Sequence, residues 1–324
     1  MKADWLTSRW YRPSPLRWLL SPLSGVYRLI TTLRRRAYQV GIFASQSLSV
    51  PVIIVGNISV GGSGKTPVAL WLAEKLKQQG FQPGIISRGY GGNAKHYPLT
   101  VTATTPTSES GDEPKLLAMR SGCPVVVAPD RIAAGQQLLA ESDCDIIISD
   151  DGLQHYRLNR DIELVVVDSR RGFGNGFCLP AGPLREPISR LNCVDFVIWH
   201  GANDKPWSMH LAIGNAVNLT TDTRRTLHDF REQTVHAVAG IGDPSRFFTQ
   251  LRQLGLTLIE HPFPDHHDYL VEDLQFNDDL PILMTEKDAV KCAKFANENY
   301  WSVPAEAILP EALAETIASR LKEQ

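Results

Sequence analysis

Residues 51–66, PVIIVGNISVGGSGKT, follow the order of a buried strand, a glycine-rich turn and the start of a helix. Val52–Val55 is a short apolar run, and Lys65-Thr66 opens an amphipathic segment that extends from Val68 to Gln79. In this layout bare backbone N–H groups and a helix N-terminus surround a polyphosphate, the lysine adds positive charge, and the threonine hydroxyl can bind Mg²⁺. The stretch therefore predicts a phosphate-binding loop and the binding of a nucleoside triphosphate.

The loop departs from the usual pattern at Ser59, which stands where a glycine normally lies five residues before the glycine of the Gly-Lys pair. Gly61, Gly62 and Gly64 supply the flexibility instead, and with Ser63 they are expected to surround the phosphates. An ordinary glycine-rich strand-to-helix turn is the alternative. Such a turn would have little use for a lysine and a threonine at the helix start.

The composition, 43% hydrophobic and 21% charged, indicates a folded chain of one large or two smaller α/β domains. The net charge of −2 is unevenly placed: residues 1–40 hold eight basic side chains against the single acid Asp4, so the remainder is strongly acidic. Five cysteines without a CxxC pair argue against zinc sites and a disulfide framework, and they fit a reducing cytosol.

Residues 14–45 mix aromatic and aliphatic side chains with arginines. No uncharged run approaches the ~18 residues of a spanning helix, and a signal peptide would need a cleaner apolar core and a cleavage site. We predict a basic amphipathic helix within residues 1–45 that contacts an anionic bilayer. A helix docked on its own domain with its arginines in water is the alternative, and RNA binding is a minor third option.

From residue 50 the apolar runs come at α/β spacing, with helical patterns between several of them. The predicted strands are Val52–Val55, Gly84–Ser87, Val125–Ala128, Asp145–Ser149, Leu164–Asp168 and Val194–Trp199. The pattern predicts the α/β class: a mostly parallel sheet sandwiched by helices, as in P-loop proteins, spanning residues 46–215.

A second, smaller α/β lobe is predicted over residues 216–304. Its strands are Val235–Ala239, Leu256–Ile259 and Ile282–Thr285, with a helix at Pro244–Leu254. The polar residues 200–233 resemble a connection, and residues 305–324 are expected to hold a final helix, from Ala305 to Lys322, that returns to the first lobe.

Ligands of parallel sheets gather at the carboxyl ends of the strands. Asp150 and Asp151 follow the apolar run Ile146–Ile148, as do the acids of the magnesium site in P-loop enzymes. The alternative is a helix N-cap followed by a turn. Asp112, in a loop before a helix, could accept a proton from an attacking hydroxyl, or it could be an N-cap. Arg131 could be a phosphate clamp or a surface ion-pair partner.

The segment FPDHHDY places His266 and His267 between acids. Metal ligation would normally want a wider histidine spacing and more ligands. A histidine that faces the cleft could instead tune a catalytic carboxylate, and a solvated loop is the remaining possibility. Thr285–Asp288 ends a predicted strand and also suggests a position facing the cleft, although an ion-paired helix start explains it almost as well.

Taken in order, these motifs resemble the tetraacyldisaccharide 4′-kinases. The resemblance covers nearly the whole chain and rests on GNISVGGSGKTP, SRGYGG, SGDEP, APDR, DDGLQHYRLNRD, LPAGPLREP, FPDHHDY and TEKD. It implies ATP and Mg²⁺ as cofactors. It also implies phosphorylation of the 4′-hydroxyl of a tetraacylated glucosamine disaccharide 1-phosphate, the lipid A precursor, by a peripheral enzyme at the cytoplasmic face of the bacterial inner membrane. Nucleic acid is not an expected partner.

The resemblance also implies residue roles. Asp112 would be the general base, paired with His266 or, failing that, with His267. Lys65 would contact the β- and γ-phosphates. The remaining roles are metal binding by Thr66, Asp150, Asp151 and Glu113, nucleotide contact by Tyr90, charge neutralisation by Arg131 and Arg185, and the acceptor-side wall by Gln154 and His155.

The main rival function is a membrane-peripheral P-loop ATPase or GTPase that acts as a switch. The loop and Asp150-Asp151 would serve it equally well. Switches with a deviant loop often carry a lysine where Val60 stands, and a guanine reader needs an Asn-Lys-x-Asp stretch of which residues 285–288 lack the asparagine. A pure lipid- or RNA-binding module leaves the phosphate loop unexplained.

Overall fold

The computed structural model describes residues 9–323, within which two β-sheets and their helices account for most of the chain. Predictions that fall on residues 1–8 and 324 lie outside the described residues. Within the described range, none of the helices combines the length and apolar character needed to cross a membrane.

The first sheet has nine strands in the order β15-β8-β7-β6-β1-β5-β2-β4-β3. All neighbours in it are parallel except the two edge pairs, β15 with β8 and β3 with β4. Its strands are β1 Val52–Gly56, β2 Pro83–Ser87, β3 Leu99–Val101, β4 Val125–Val127, β5 Ile146–Asp150, β6 Ile162–Asp168, β7 Phe196–His200, β8 Ser208–Ile213 and β15 Ala305–Ile308.

Helices cover both faces of this sheet, as the apolar strands require. Alternate residues of β1 point to opposite sides: Ile53 and Val55 join one buried cluster, and Val52 and Ile54 join the other. Three helices contribute to the first cluster and one to the second. They are α2 Lys65–Gln78, α4 Asp112–Ser121 and α8 Glu311–Lys322 on one side, and α5 Arg131–Glu141 on the other; α3 Thr107–Ser110 is a single turn.

The second sheet has six strands in the order β10-β9-β14-β13-β11-β12, with a parallel centre. Its elements are β9 Ala216–Asn218, β10 Arg224–Arg225, β11 Thr234–Ala239, α6 Pro244–Gln253, β12 Thr257–Pro262, β13 Ile282–Thr285, α7 Glu286–Cys292 and β14 Tyr300–Val303. Short 3₁₀ turns occupy Ile188–Cys193, Leu227–Phe230, Val271–Leu274 and Ala293–Phe295. We call the two sheets with their helices the first and second lobes.

Two sequence predictions need correction. Ala305–Ile308 is a strand, not the start of the last helix, which begins at Glu311 after Pro310. Alanine and glutamate favour a helix locally, but pairing with the open edge of β8 outweighs that preference. Residues 200–233 are also more regular than a connection, because β8 extends the first sheet and β9 and β10 extend the second. Sheet membership changes between Ile213, the last residue of β8, and Ala216, the first residue of β9.

The N-terminal helix α1 runs from Leu16 to Gln39 and contains Pro22. It is docked on the first lobe, where the Ser24 hydroxyl donates to the Cys178 carbonyl at 2.7 Å and Tyr27 packs against the core. Its outer side is nevertheless apolar, with more than half of each of these side chains exposed: Trp18, Leu19, Leu23, Val26, Leu29, Ile30 and Leu33. The helix thus combines docking on its own lobe with an apolar face towards solvent.

Candidate active site

The phosphate loop lies between β1 and α2, as predicted, and is built from bare backbone. Gly61 and Gly64 have φ angles of 103° and 96°, a region that favours glycine. The Asn57 amide braces the loop from inside by donating to the Gly61 carbonyl at 3.3 Å and to the Ser63 hydroxyl at 3.2 Å. Nothing lies within 4 Å of where a Cβ on Gly62 would stand, so the loop presents open backbone at that point.

Lys65 points from the first turn of α2 to the carboxyl end of β5. Its Nζ lies 3.6 Å from Asp151 Oδ1, and Arg185 Nη1 lies 3.1 Å from Asp151 Oδ2. Burial opposes ionisation of Asp151, but the charges of Lys65 and Arg185 hold its pKa below the ordinary value. Thr66 is half-buried in the same turn of α2. The loop lysine and the acid pair therefore share one side of the sheet.

Asp150 is almost completely buried, and its environment differs from that of its neighbour. Among residues 9–323 its Oδ1 has no hydrogen-bond partner, and its Oδ2 accepts a long hydrogen bond from the Ser87 hydroxyl at 3.4 Å. Burial, followed by the nearby charges of Glu113 and Asp151, raises the pKa of Asp150 to about 7. The site therefore contains a buried carboxyl whose charge the surrounding side chains do not balance.

These residues fit a magnesium ion. The buried Oδ1 of Asp150 has no hydrogen-bond partner among residues 9–323, and the carboxylates of Asp151 and Glu113 lie close enough to raise the pKa of Asp150, so the three acids offer the oxygen ligands that a divalent cation prefers. Among residues 9–323 no three His, Cys, Asp or Glu side chains form a complete cage. Mg²⁺ needs none, because it retains waters and is usually bound by one or two carboxylates together with substrate phosphates.

Asp112 and His266 are in direct contact across the two lobes. Asp112 begins α4 of the first lobe, and His266 Nδ1 donates to its Oδ2 at 3.1 Å. The predicted alternative, His267, donates instead to Asp273 at 2.9 Å. His266 has a φ angle of 60°, a turn that directs the two adjacent histidines to different partners.

Two lysines of α7 complete the environment of Asp112. Lys287 Nζ and Lys291 Nζ lie 3.8 and 3.9 Å from its Oδ2. Burial alone would raise the pKa of Asp112, but the hydrogen bond from His266 and the charge of Lys287 hold it below its ordinary value. The same hydrogen bond raises the pKa of His266. The pair is therefore an ionised carboxylate that increases the basicity of an imidazole.

Lys287 contacts three acids, of which Asp112 and Glu113 belong to the first lobe and Asp265 to its own. Besides Asp112, its Nζ lies 3.1 Å from Glu113 Oε1 and 3.3 Å from Asp265 Oδ1. Burial opposes its charge, but the three carboxylates raise its pKa. The sequence had marked residues 285–288 as facing the cleft, yet nothing in it identified this lysine as a partner of Asp112. Glu113 raises the pKa of both Lys287 and Asp150, so it lies between the Asp112–His266 pair and the acids that end β5.

The second lobe also approaches the phosphate loop directly. A Cβ on Gly242 would lie 3.1 Å from the Gly62 nitrogen and 3.5 Å from Asp265 Oδ2. Arg171 of the first lobe donates to the Gly242 carbonyl. The backbone at Gly242 thus fits between the loop and the segment that carries His266, and a larger residue there would separate them.

The predicted acceptor wall is held together by a residue that sequence reasoning missed. The Gln154 amide donates to the Asn57 carbonyl at 3.0 Å and to Glu186 Oε1 at 2.9 Å, and the Gln154 oxygen lies 3.5 Å from Arg185 Nη1. Glu186 is buried, and it also receives a hydrogen bond from the Tyr156 hydroxyl. The only sequence signal for a role of Glu186 was its position next to Arg185 in a turn bounded by prolines.

Three predicted residues have surroundings that limit their roles. Arg131 is buried and donates to the Ala128, Pro129 and Asp151 carbonyls at 3.3–3.4 Å, so it braces the turn after β5. Burial is the first cause that lowers its pKa, to about 10. His155 Nε2 lies 3.8 Å from Asp130, and burial lowers its pKa to about 4, so it is neutral. Tyr90 is 62% exposed, and its ring meets His266 edge-on at 5.1 Å.

Comparisons with known proteins show which family the chain resembles. The family model described as tetraacyldisaccharide-1-P 4′-kinase matches residues 16–322. A tetraacyldisaccharide 4′-kinase of Nitrosococcus oceani is 52% identical over 315 residues, which cover 97% of this chain and 93% of the relative. One of Haemophilus influenzae is 52% identical over 307 residues, covering 94% and 92%.

A solved structure has the same fold. It is described as the "apo" form of LpxK from Aquifex aeolicus in complex with ATP, and it superposes with a TM-score of 0.79 at 31% identity, covering 94% of this chain and 99% of that one. The chain therefore belongs to the tetraacyldisaccharide-1-P 4′-kinase family.

Proposed function

We propose that this chain transfers the γ-phosphoryl group of ATP to the 4′-hydroxyl of a tetraacyldisaccharide 1-phosphate, the lipid A precursor. The observation that carries the proposal is the shared position of two groups of residues. The phosphate loop with Lys65 and the Asp112–His266 pair both border the acids at the carboxyl ends of the first sheet, and the second lobe closes over them. This is the arrangement that in-line transfer to an alcohol requires.

The nucleotide side is built from the loop and its flanking charges. The loop amides and Lys65 hold the phosphates and neutralise charge that spreads onto their oxygens. Thr66, Asp150, Asp151 and Glu113 would hold Mg²⁺, which supplies further positive charge when bound. Arg185, fixed by Asp151 and Gln154, adds a guanidinium on the acceptor side. Tyr90 is proposed to line the nucleotide, and Arg131 to support the site from behind Asp151.

The Asp112–His266 pair is proposed to receive the proton of the attacking hydroxyl. Asp112 is buried, faces the His266 ring and lies within 4 Å of the ammonium groups of Lys287 and Lys291, which makes it a weak base. His266 is more exposed, and Asp112 raises its pKa. The geometry thus favours His266 as the proton acceptor, with Asp112 holding the ring in place and stabilising its charged form. Gln154 and His155 are proposed to line the acceptor.

The apolar side of α1 is proposed to contact the anionic cytoplasmic surface of the inner membrane, where the acyl chains of the acceptor lie. Leu19, Leu23, Val26, Ile30 and Leu33 recur every three or four residues and face solvent. Arginines flank this stripe and would pair with anionic headgroups. Docking of the helix on the first lobe, through Ser24, would hold the cleft at the height of the lipid headgroups.

Incubation with γ-labelled ATP, Mg²⁺ and the tetraacyldisaccharide 1-phosphate in detergent micelles tests the activity. Label should enter the lipid. Lys65→Ala should lower the rate about a hundredfold or more and weaken ATP binding, because the positive charge that interacts with the phosphates is lost. Lys322→Ala, at the exposed end of α8, should match the wild type. Label that appears only as inorganic phosphate would refute the kinase proposal and favour the ATPase switch.

Co-sedimentation with vesicles of anionic phospholipid tests the membrane contact. Leu23→Asp and Ile30→Asp should each weaken binding about tenfold or more, because each removes an apolar side chain from the interface. Met119→Asp is the matched control, since Met119 is an equally exposed apolar residue in a helix away from α1. Equal binding by all three variants and the wild type would contradict the proposed surface.

A further inference from the structure

Another contact between the lobes lies apart from Asp112 and His266. Arg246, on α6 of the second lobe, reaches the carboxyl ends of β6 and β7 in the first lobe. Its Nη2 donates to both oxygens of Asp168 at 3.1 Å, and its Nη1 lies 3.0 Å from both ring nitrogens of His200. Asp168 and His200 are buried. A single side chain of the second lobe is thus held by two groups of the first.

His200 continues this contact to the phosphate loop. Its Nδ1 lies 3.1 Å from the Ser63 carbonyl oxygen. Burial and the charge of Arg246 lower the pKa of His200 to about 4, so its ring is neutral and carries one N–H. Both contacts are satisfied when Nδ1–H donates to the Ser63 carbonyl and the Nε2 lone pair accepts from Arg246. Arg246 therefore fixes the tautomer of a histidine that holds the loop.

The contact determines how the loop is oriented. Across a trans peptide the C=O and N–H bonds point in opposite directions, so a Ser63 carbonyl held towards His200 turns the Gly64 N–H away from His200. Backbone N–H groups at this position of a phosphate loop are its anion ligands. Gly64 also packs on His200 directly: a Cβ there would lie 3.1 Å from Nδ1 and 2.9 Å from Met209 Cε.

We propose that Arg246 is a positioning residue for the phosphate loop, acting through His200 on the Ser63–Gly64 peptide. Contact between the lobes thereby sets the affinity of the loop for the triphosphate, at a point separate from the Asp112–His266 pair. The inference rests on the proposed function only in that it takes a nucleoside triphosphate to be the ligand of the loop.

Direct binding of ATP, measured by calorimetry in the absence of acceptor, tests the proposal. Arg246→Ala should weaken ATP binding about tenfold, since a charge-assisted hydrogen bond that orients the loop is lost. In steady-state assays KM for ATP should rise by a similar factor, while KM for the lipid acceptor stays unchanged. Arg246→Lys should recover part of the affinity.

Arg170→Ala is the matched control. Arg170 pairs with Asp243 at 3.3 Å, also across the lobes and next to α6, but in the described part of the chain its side chain forms no hydrogen bond with His200. This variant should bind ATP like the wild type. Two substitutions at His200 separate its interaction with the Ser63 carbonyl from its interaction with Arg246. His200→Asn places an amide near the Nδ1 position and should retain most of the affinity, whereas His200→Gln places it near Nε2 and should lose it.

A double-mutant cycle tests whether Arg246 affects the phosphate loop through His200. If Arg246 acts through His200, combining Arg246→Ala with His200→Gln should weaken ATP binding hardly more than either change alone. Additive losses, wild-type ATP affinity of Arg246→Ala, or an equal loss in Arg170→Ala would each overturn the proposal. If the wild type binds ATP with this dependence on Arg246 but does not phosphorylate the lipid, the proposed function fails and the positioning role stands. A wild type that does not bind ATP refutes both.

Discussion

Asp112 and Asp150 are both buried carboxyl groups of the first lobe, yet their surroundings drive their pKa values in opposite directions. Around Asp112, His266 and two lysines outweigh the effect of burial and lower its pKa. Around Asp150, burial and two further acids dominate and raise its pKa to about 7. Burial acts on both groups in the same sense, so the difference comes from the charges that the chain places beside them.

The comparison also separates what each lobe contributes. The groups that lower the pKa of Asp112, which are His266 and the two lysines of α7, come from the second lobe. The pKa of Asp112 therefore depends on contact between the lobes. The groups that act on Asp150 belong to the first lobe, and within the described part of the chain its Oδ1 has no hydrogen-bond partner. Asp112 is therefore kept ionised by residues of the second lobe. The Oδ1 of Asp150 remains available to bind a metal cation.

The largest expected effect concerns Asp112. Asp112→Ala should lower phosphoryl transfer to the lipid about a thousandfold, because His266 loses the group that orients it and stabilises its charged form. ATP binding should persist, since the phosphate loop and Lys65 are unchanged. Calorimetry with ATP and a lipid-labelling assay measure the two effects separately. Asp204→Ala, at a side chain that is 79% exposed, is the control. Full activity of Asp112→Ala would remove the pair from the mechanism.

An effect of intermediate size, on the pH dependence of the rate, distinguishes His266 from Asp112 as the general base. If His266 accepts the proton, kcat/KM falls as the pH drops through its pKa, which the Asp112 carboxylate raises. Asp112→Asn keeps a hydrogen-bond acceptor for the ring but removes the charge, so the pKa of His266 falls. The acidic limb of the pH–rate profile should then move to lower pH, with a lower plateau. A limb that stays in place would contradict the assignment to His266.

Much of this site could be predicted because its sequence signals are local. The order of strand, glycine turn and lysine within residues 51–66 needs only neighbouring residues, and so do the acids that end β5. The parallel sheet follows from its apolar strands, several of which extend within a residue or two of their predicted bounds. Local patterns identified Asp112 as a loop carboxylate at a helix start, which is where it lies.

The contacts between distant residues could not be predicted in the same way. His266 and Asp112 are 154 residues apart, and the sequence alone does not separate His266 from its neighbour His267, whereas in the structure they contact Asp112 and Asp273, respectively. The segment of Lys287 was predicted to face the cleft or to be an ion-paired helix start, but its contacts with three acids, two of them in the other lobe, depend on the tertiary fold. The strand at Ala305–Ile308 was missed for a related reason, because its pairing with β8 is tertiary.

The smallest expected effect concerns the stability conferred by Asp150. A carboxyl whose pKa is about 7 in the folded chain and near 3.8 when unfolded binds more protons when folded between those pH values. Its contribution to the free energy of unfolding is therefore fully present below about pH 4 and is lost as the pH rises through 7. Without Mg²⁺ and nucleotide, Asp150→Asn should raise Tm at pH 8 by roughly 3 °C, with the difference shrinking towards pH 5.

Asp143→Asn, at an exposed position before the same strand, should leave Tm unchanged at both pH values. Addition of ATP and Mg²⁺ should then reverse the order at pH 8. The wild type should gain stability because the cation compensates the buried charge, and Asp150→Asn should gain less because it has lost a ligand. A Tm for Asp150→Asn below that of the wild type at pH 8, without ligand, would mean that the carboxylate is already compensated within the chain. The contrast with Asp112 would then fail.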